Sequence, residues 1–175
     1  MPLWHFEPGH TSAEFAVRHM MITWVRGQYK NLSGTFQFDP SDPAGGAVEV
    51  TINAANFATE EKERDEHLRS ADFLDVANHP TITFKSTHVE VTGHNCCKVT
   101  GDLTIRGTTR PVTLDVQHFG PVDTSFANTR IGFLVTAKIN REDFGVSWNS
   151  AMPGLGFVVA KEVEITIDVE AIRAG

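Results

Sequence analysis

A two-residue alternation of apolar and polar side chains runs through most of the chain and restricts its fold more than any other feature. From Val99 to Ile105, apolar residues or glycine at every second position alternate with threonine and aspartate. Successive side chains of a strand point to opposite faces of a sheet, so such a row predicts a strand with one apolar face. Comparable rows occupy residues 14–18, 48–53, 81–91, 112–118, 131–139 and 163–169. The chain is therefore predicted to be an all-β protein.

Short turn signals separate most of these rows. Thr92–Asn95 and Arg106–Thr108 have the composition of hairpin turns, and Pro121–Asn128 is a longer connection. Long strands joined by short turns predict antiparallel pairing, and one apolar face on each strand requires two packed sheets or a closed barrel. No linker or shift in composition divides the chain, so residues 1–175 are predicted to form a single domain.

The interior of such a fold has two interpretations on periodicity alone. Several predicted strands reach roughly ten residues, which at about 3.4 Å per residue extends beyond roughly 30 Å. Small residues in the apolar rows, such as Gly101, would leave space inside. A solid core and a cavity for an elongated ligand both remain open at this point.

Charge and hydropathy exclude several classes of protein. The net charge of −7 argues against a nucleic-acid-binding surface, which needs a basic face. No apolar run approaches the roughly 18 residues of a membrane helix. The first residues lack the basic and apolar regions of a secretory signal, so the sequence predicts a cytoplasmic location.

No pattern typical of a metal, cofactor or catalytic site is found in the sequence. The eight histidines show no H-E-x-x-H spacing, and there is no G-x-S-x-G or phosphate-loop motif. Cys96 and Cys97 are adjacent, and their Cα atoms are closer than an ordinary disulfide spans. His94 with these cysteines resembles a soft-metal site only weakly, and an ordinary turn is favoured. We predict no metal, no cofactor and no catalytic residue.

One charged segment departs from the β pattern. Residues 59–70 predict a helix of about three turns, with Thr59 as its cap and Arg64 and His67 close to one face. A second polar pair, Arg18 and His19, ends the first long strand. Arginine and histidine bind anionic or polar head groups. The alternative is that these side chains pair with neighbouring carboxylates and hold the helix on the barrel.

Six motifs, in order, resemble the YceI-like family of lipocalin-like, polyisoprenoid-binding proteins, and together they cover almost the whole chain. The strongest is RDEHLRSADFL at residues 64–74, followed by PTITFKST at 80–87. The others are WHFEPGHTSAEFAVRHM at 4–20, VRG and LSG at 25–27 and 32–34, GDLTIRGTTRPV at 101–112, and NREDFGVSWN with KEV at 140–149 and 161–163.

The resemblance implies an extended eight-stranded antiparallel lipocalin-like β-barrel with one short α-helix, and it favours the cavity over the solid core. It implies a non-enzymatic carrier for a long isoprenoid-type lipid with a polar or diphosphate head. The resemblance also allows a homodimer formed through an apolar outer patch. We therefore predict the following ligand-binding residues: Phe15, Val17, Arg18, His19, Phe36, Phe38, Arg64, His67, Phe84, Leu103, Leu114, Phe133, Val135 and Trp148.

Two alternatives to an isoprenoid carrier remain. A fatty acid or fatty amide would suit the same cavity, and a hydrolase acting on a lipid-like substrate could use His19 or His67 as general base. The segment 152–160 departs from the family pattern in Pro153 and Ala160, which predicts a different preference for ligand length or head group if it lies at the barrel mouth.

Overall fold

A computed structural model describes residues 1–152 and 156–175, and its main feature is a closed antiparallel β-barrel. The alternating rows form long strands, and β9 and β13 are the longest of them in the described part of the chain. The strands are β1 Leu3–Phe6, β2 Ser12–His19, β3 Thr23–Tyr29, β4 Thr35–Gln37, β5 Ala47–Asn53, β6 Phe57–Ala58, β7 Thr81–Gly93, β8 Cys96–Ile105, β9 Thr108–Asp123, β10 Thr129–Asn140, β11 Ala151–Met152, β12 Gly156–Phe157 and β13 Val159–Arg173.

Eight strand positions close the barrel. The last strand, β13, pairs with β10 on one edge, and on the other edge with β2 and then β1. β1 and β2 therefore share one position, interrupted by the turn Pro8–His10, and β3 and β4 share the next. β5, β7, β8 and β9 complete the circle to β10. The predicted eight-stranded antiparallel barrel is confirmed.

The turns follow the chemistry expected of tight hairpins. Arg106 and Gly107 join β8 and β9 with φ of 48° and 70°, as a turn matching the twist of two antiparallel strands requires. Asn95, with φ of 58°, lies in the turn between β7 and β8. The connection predicted from Pro121 is shorter than expected, because β9 continues to Asp123.

One bulge changes the inward face of β7. The pairing register with β8 shifts between Ser86 and His88. Ile82 and Phe84 face the interior before this shift, and Val89 faces it afterwards. Val91, which the alternation places in the same apolar row, is 50% exposed.

The helix α1, Lys62–Arg69, is shorter than predicted and begins later. Its cap is Glu61, whose carboxylate accepts hydrogen bonds from the backbone N–H groups of Glu63 and Arg64 at 3.2 and 2.7 Å. Thr59 does not cap it, because its hydroxyl and N–H are bonded to Asp65 instead. The prediction of one short helix beside the barrel is nevertheless confirmed for the described residues.

Two buried clusters occupy opposite ends of the barrel. Trp4, Phe36, Phe38, Ile131 and Ala171 pack together where β13 ends, and we call this the closed end. Phe73, Phe144 and Val146 form the second cluster, together with side chains that include Leu68 of α1 and Val159 at the start of β13. We call this the helix end.

Candidate functional site: an apolar cavity inside the barrel

A cavity of about 830 Å³ lies inside the barrel and reaches both end clusters. Its wall is formed mainly by the inward-facing residues of the strands, such as Leu103 and Ile105 of β8 and Val135 of β10. The volume lies in the range of about 300–1,000 Å³ that is typical of pockets for small molecules. The barrel can therefore enclose an apolar molecule rather than only a packed core.

All fourteen residues predicted from the sequence lie on the wall of this cavity. The apolar ones are Phe15, Val17, Phe36, Phe38, Phe84, Leu103, Leu114, Phe133, Val135 and Trp148, and the polar ones are Arg18, His19, Arg64 and His67. The structure thus brings side chains from six strands, α1 and two loops around one space. Their contact with a ligand stays a prediction.

Two glycines allow large rings to lie flat against the wall. Gly27 pairs directly with Phe15, and a Cβ atom at residue 27 would lie 2.1 Å from the Phe15 Cζ. A Cβ atom at Gly101 would lie 2.4 Å from the Phe84 Cζ. The space that Gly101 was expected to leave is therefore filled by a neighbouring ring. Because these rings lie over glycine, they occupy less of the interior.

Sequence reasoning missed part of the aromatic wall. Phe57 packs edge-on against Phe15 with ring centroids 5.8 Å apart, and Tyr29 lies 5.6 Å from Phe57. The Tyr29 hydroxyl donates to the carbonyl of Ala54 at 2.8 Å, and burial raises the pKa of this phenol. The family motif ends at Gly27, but Val25, Gly27 and Tyr29 alternate along β3, and this alternation could have identified Tyr29.

The charged helix is held to the barrel by hydrogen bonds. The Arg64 guanidinium donates to the Thr59 hydroxyl at 2.7 Å and to the Thr59 carbonyl at 2.6 Å. The Thr59 hydroxyl in turn donates to the buried carboxylate of Asp65. Arg69 donates to the carbonyls of Ala55 and Phe57 at 2.9 and 2.7 Å. Arg64 therefore acts as a clasp, through a threonine rather than through the carboxylates expected from the sequence.

His67 contacts both the helix end and the solvent. Its Nε2 lies 2.9 Å from a carboxylate oxygen of Asp72, as the clasp interpretation predicted. Its ring packs edge-on against Trp148 and Phe73, with centroid distances of 4.7 and 5.0 Å. His67 is thus fixed where the cavity approaches the surface.

Arg18 and His19 lie at the same end of the barrel as the helix. His19 pairs with Val159, which belongs to the helix-end cluster. The Arg18 guanidinium lies over the Trp24 ring at 4.8 Å from its centroid. Within the described residues, no hydrogen bond joins this pair to Arg64 or His67. The four predicted polar residues share one end but form two separate groups.

Arg141 is a buried charge that was not assigned a role from the sequence. It is 5% exposed and touches the cavity. Its guanidinium donates to the carbonyls of Val146, Trp148, Val159 and Ala160 at 2.7–3.2 Å. Within the described residues no carboxylate lies within 4.0 Å of it, and burial lowers its pKa. Arg141 therefore fastens the segment after residue 145 to the end of β10.

The two cysteines are free thiols on opposite faces of β8. Cys97 is buried, lines the cavity and has a raised pKa because of burial. No group of three or more His, Cys, Asp or Glu side chains within residues 1–152 and 156–175 is placed to hold a metal ion. Of the segment 152–160, whose departure from the family pattern was predicted to affect ligand preference, residues 153–155 with Pro153 lie outside the described residues.

The closed antiparallel barrel and its enclosed apolar cavity define a lipocalin-like β-barrel. In the described part of the chain, no helix has the length and apolar character needed to span a membrane. The sequence model of the YceI-like domain family matches residues 4–171. The chain therefore belongs to the YceI-like family, as its motifs indicated.

Curated relatives and solved structures agree with this assignment. The chain is 40% identical over 167 residues to protein YceI of Escherichia coli O17:K52:H18, covering 95% of this chain and 84% of that protein. It is 38% identical to a UPF0312 protein of Pseudomonas aeruginosa with the same coverage.

Solved structures of the same fold include the crystal structure of BcnA from Burkholderia cenocepacia. BcnA is 26% identical, with a TM-score of 0.80 over 91% of this chain and 95% of BcnA. A polyisoprenoid-binding domain from Saccharophagus degradans has a TM-score of 0.73 over 99% of this chain and 100% of that domain. At 14% identity, that likeness shows the fold alone.

Proposed function

We propose that this protein is a non-enzymatic binding and carrier protein for a long isoprenoid-type lipid, whose tail lies in the barrel and whose polar head lies at the helix end. The observation that carries the proposal is the apolar cavity of about 830 Å³ between the two end clusters. The polyisoprenoid-binding domain of the same fold supports this ligand class, although only as an analogy of fold.

Apolar burial supplies the expected driving force. Each 100 Å² of tail surface removed from water contributes about 2.5 kcal/mol before the costs of ordering the ligand. Inward-facing residues such as Val99, Leu114 and Val163 offer little but hydrocarbon along the wall. A tail of several hundred Å² would therefore be held without specific polar contacts, and selectivity would rest on its length and on its head.

The helix end offers polar partners for a head group. Arg18, His19, Arg64 and His67 border the cavity there, and arginine is well suited to phosphate. Arg64 uses its Nε and one terminal nitrogen on Thr59, and among the described residues the other terminal nitrogen, Nη1, makes no hydrogen bond and can serve a ligand. One side chain can thus serve both as clasp and as head-group contact.

A hydrolytic role has weaker support. His67 is bonded to Asp72, and within the described residues neither His67 nor His19 bonds to a hydroxyl or thiol that it could activate. We therefore propose binding without turnover. Loss of turnover of a prenyl diphosphate in His67→Ala, with binding retained, would instead establish an enzyme.

The decisive experiment is native mass spectrometry with solvent extraction of protein purified from cells. We expect a bound polyprenyl lipid, and uptake of a polyprenyl phosphate probe by protein stripped of lipid. A fatty acid or fatty amide in the extract would favour that ligand class instead. An empty barrel that takes up neither probe would refute the carrier proposal.

Two matched glycine variants test whether the cavity itself is the site. Gly27→Ala places a methyl group against the Phe15 ring and pushes it toward the interior, whereas a Cβ atom at Gly93 meets no atom within 4 Å. We expect Gly27→Ala to reduce the capacity for long-chain probes and Gly93→Ala to bind as the wild type does. Equal binding by all three proteins would contradict a ligand at Phe15.

Arg64→Ala tests the head-group assignment. We expect the substitution to weaken the binding of a probe with a phosphate head more than the binding of a neutral probe with the same tail, because a neutral head lacks the charge that arginine attracts. An equal loss for both probes together with a lower melting temperature would show that Arg64 is only a clasp.

Two further expectations belong to this proposal. If the protein is a homodimer, light scattering of the purified protein should give twice the mass of one chain. The mass of a single chain would exclude a homodimer. A cytoplasmic location predicts that the protein stays with the cytoplasmic fraction when cells are fractionated, and recovery outside it would refute that location.

A further inference from the structure

The turn between β2 and β3 exposes two large apolar side chains. Met21 is 57% exposed and Ile22 is 77% exposed. Met20 and Met21 have φ of 54° and 60°, a conformation that is uncommon for residues other than glycine. Exposed apolar side chains that lie together and are bordered by polar residues can mark a surface that binds a partner. We call Met20–Ile22 the apolar tip.

The apolar tip adjoins the end of the cavity. The backbone N–H of Met20 donates to the carbonyl of Val158 at 2.7 Å, and Val158 lines the cavity. His19, the residue before the tip, and Val25, shortly after it, also line the cavity. A partner seated on the tip would therefore lie next to the proposed place of the lipid head.

Cations and an indole ring stand beside the apolar tip. Trp24 pairs across the hairpin with Arg18, whose guanidinium lies 4.8 Å from the ring centroid. The Arg26 guanidinium lies 5.8 Å from the same centroid and also bonds to Glu14. Tryptophan and arginine next to exposed aliphatic side chains are typical of protein surfaces that rest in the headgroup region of a bilayer.

We propose that the apolar tip docks on the surface of a phospholipid bilayer, with Met21 and Ile22 entering the interface and Arg18 and Arg26 facing lipid phosphates. The proposal rests on the proposed function, because a carrier must exchange an insoluble lipid with the membrane that holds it. A second copy of the chain suits the tip less well, since a two-fold contact there would bring like-charged arginines together.

A second exposed apolar group provides a control. Phe126 is 79% exposed in the loop between β9 and β10, at the closed end. Ile22→Asp and Phe126→Asp therefore place the same charge on an exposed apolar side chain at opposite ends of the barrel. Neither side chain lines the cavity, so neither variant should change lipid uptake from solution.

The experiment is flotation of the whole protein with vesicles of phosphatidylcholine and phosphatidylglycerol. We expect the wild type and Phe126→Asp to float with the vesicles, and Ile22→Asp to lose about tenfold in affinity, since it forfeits apolar burial and adds a repelled charge. Added salt should weaken the binding because it screens the arginines. Flotation of Ile22→Asp equal to that of the wild type would overturn the proposal.

Two further measurements separate this proposal from its alternatives. Uptake of a polyprenyl phosphate probe from dilute detergent tests the carrier function without a membrane. Wild-type uptake with no flotation would refute only the docking, whereas no uptake would refute the function itself. A dimer that becomes a monomer in Ile22→Asp would show that a second copy covers the tip, and would also overturn the proposal.

Discussion

The two ends of the barrel are closed by different kinds of interaction. At the closed end, Trp4, Phe36 and Ile131 pack into an apolar plug in which the Trp4 indole donates to the Phe38 carbonyl at 2.9 Å. At the helix end, apolar side chains also pack, but Arg64 and Arg141 hold the covering segments by hydrogen bonds to backbone carbonyls.

This difference indicates that the two ends have different roles. In an apolar plug, displacing one close-packed side chain leaves a void against its neighbours, which lose their contacts with it. Hydrogen bonds from an arginine to the backbone can be exchanged singly for bonds to water, at a net cost of about 1.5–3 kcal/mol each. The helix end is therefore the end expected to open for a ligand, and the closed end the one that maintains the barrel.

Trp4→Ala should give the largest loss of stability. Trp4 is 1% exposed, and its removal leaves a large cavity and an unpaired carbonyl, so we expect a loss of about 3–5 kcal/mol in the free energy of unfolding. Chemical denaturation followed by circular dichroism measures it. Trp24→Ala, at a half-buried ring of the helix end, is the control and should cost much less. Equal losses in the two variants would contradict the division between the ends.

Arg141→Met should give the second-largest loss of stability, about 3 kcal/mol in the free energy of unfolding. Four backbone carbonyls lose a charged donor in a buried site. The segment after residue 145 should exchange its amide hydrogens faster, while the closed end keeps its protection. Arg141→Lys retains the charge but lacks the planar fork of donors, so it should recover only part of the loss. Uniform exchange across both ends would show that Arg141 supports the whole barrel.

Asp65→Asn should lower the free energy of unfolding by less, about 1–2 kcal/mol, and only locally. The reason is that the Thr59 N–H and hydroxyl lose an ionised acceptor. Faster hydrogen exchange confined to α1 would show that the clasp can open by itself. Asp72→Asn, in an exposed pair with His67, is the control and should change stability little. A larger effect in Asp72→Asn would assign the clasp to His67 instead.

The barrel could be predicted from the sequence because strand alternation is local. The row from Val99 to Ile105 shows its inward face without any knowledge of its neighbours, and β8 has that face in the structure. In β7 the apolar row was identified correctly as far as Val89, which lines the cavity. The bulge between Ser86 and His88 could not be predicted, because it depends on the pairing of β7 with β8. Thr59 has the properties of a helix cap, but its hydroxyl is hydrogen-bonded to Asp65 and Arg64 instead and does not cap α1.

The polar part of the site was less accessible to sequence reasoning. Arg141 looks like any surface arginine, because its partners are backbone carbonyls, which every residue has. The clasp of Arg64 on Thr59 spans only five residues, but nothing in the residue types distinguishes it from a pair with a carboxylate. Apolar wall residues could be chosen from the two-residue alternation along each strand. Polar contacts could not, because they depend on which distant segments the fold brings together.

We expect the smallest effect on stability from His118, whose protonation makes the stability of the closed end depend on pH. Its imidazole is buried against Phe38, with ring centroids 5.2 Å apart, and its Nδ1 has no hydrogen-bond partner within the described residues. Burial lowers the pKa of His118, and the nearby His94 lowers it further, while the Gly120 backbone acts in the opposite direction. The folded protein therefore keeps this imidazole neutral at a pH where the unfolded chain protonates it.

The sign of the effect follows from this difference. Between the folded pKa of His118 and its unfolded pKa of about 6.5, the unfolded chain binds more protons than the folded protein. The contribution of neutral His118 to the free energy of unfolding is therefore complete above the unfolded pKa. It is lost as the pH falls toward the folded pKa. The measurement is the melting temperature of the wild type and His118→Phe across mildly acidic pH. We expect the wild type to lose more stability on acidification, because His118→Phe has no imidazole to protonate at this buried position. Parallel curves would show that the stability of the closed end does not depend on the protonation of His118.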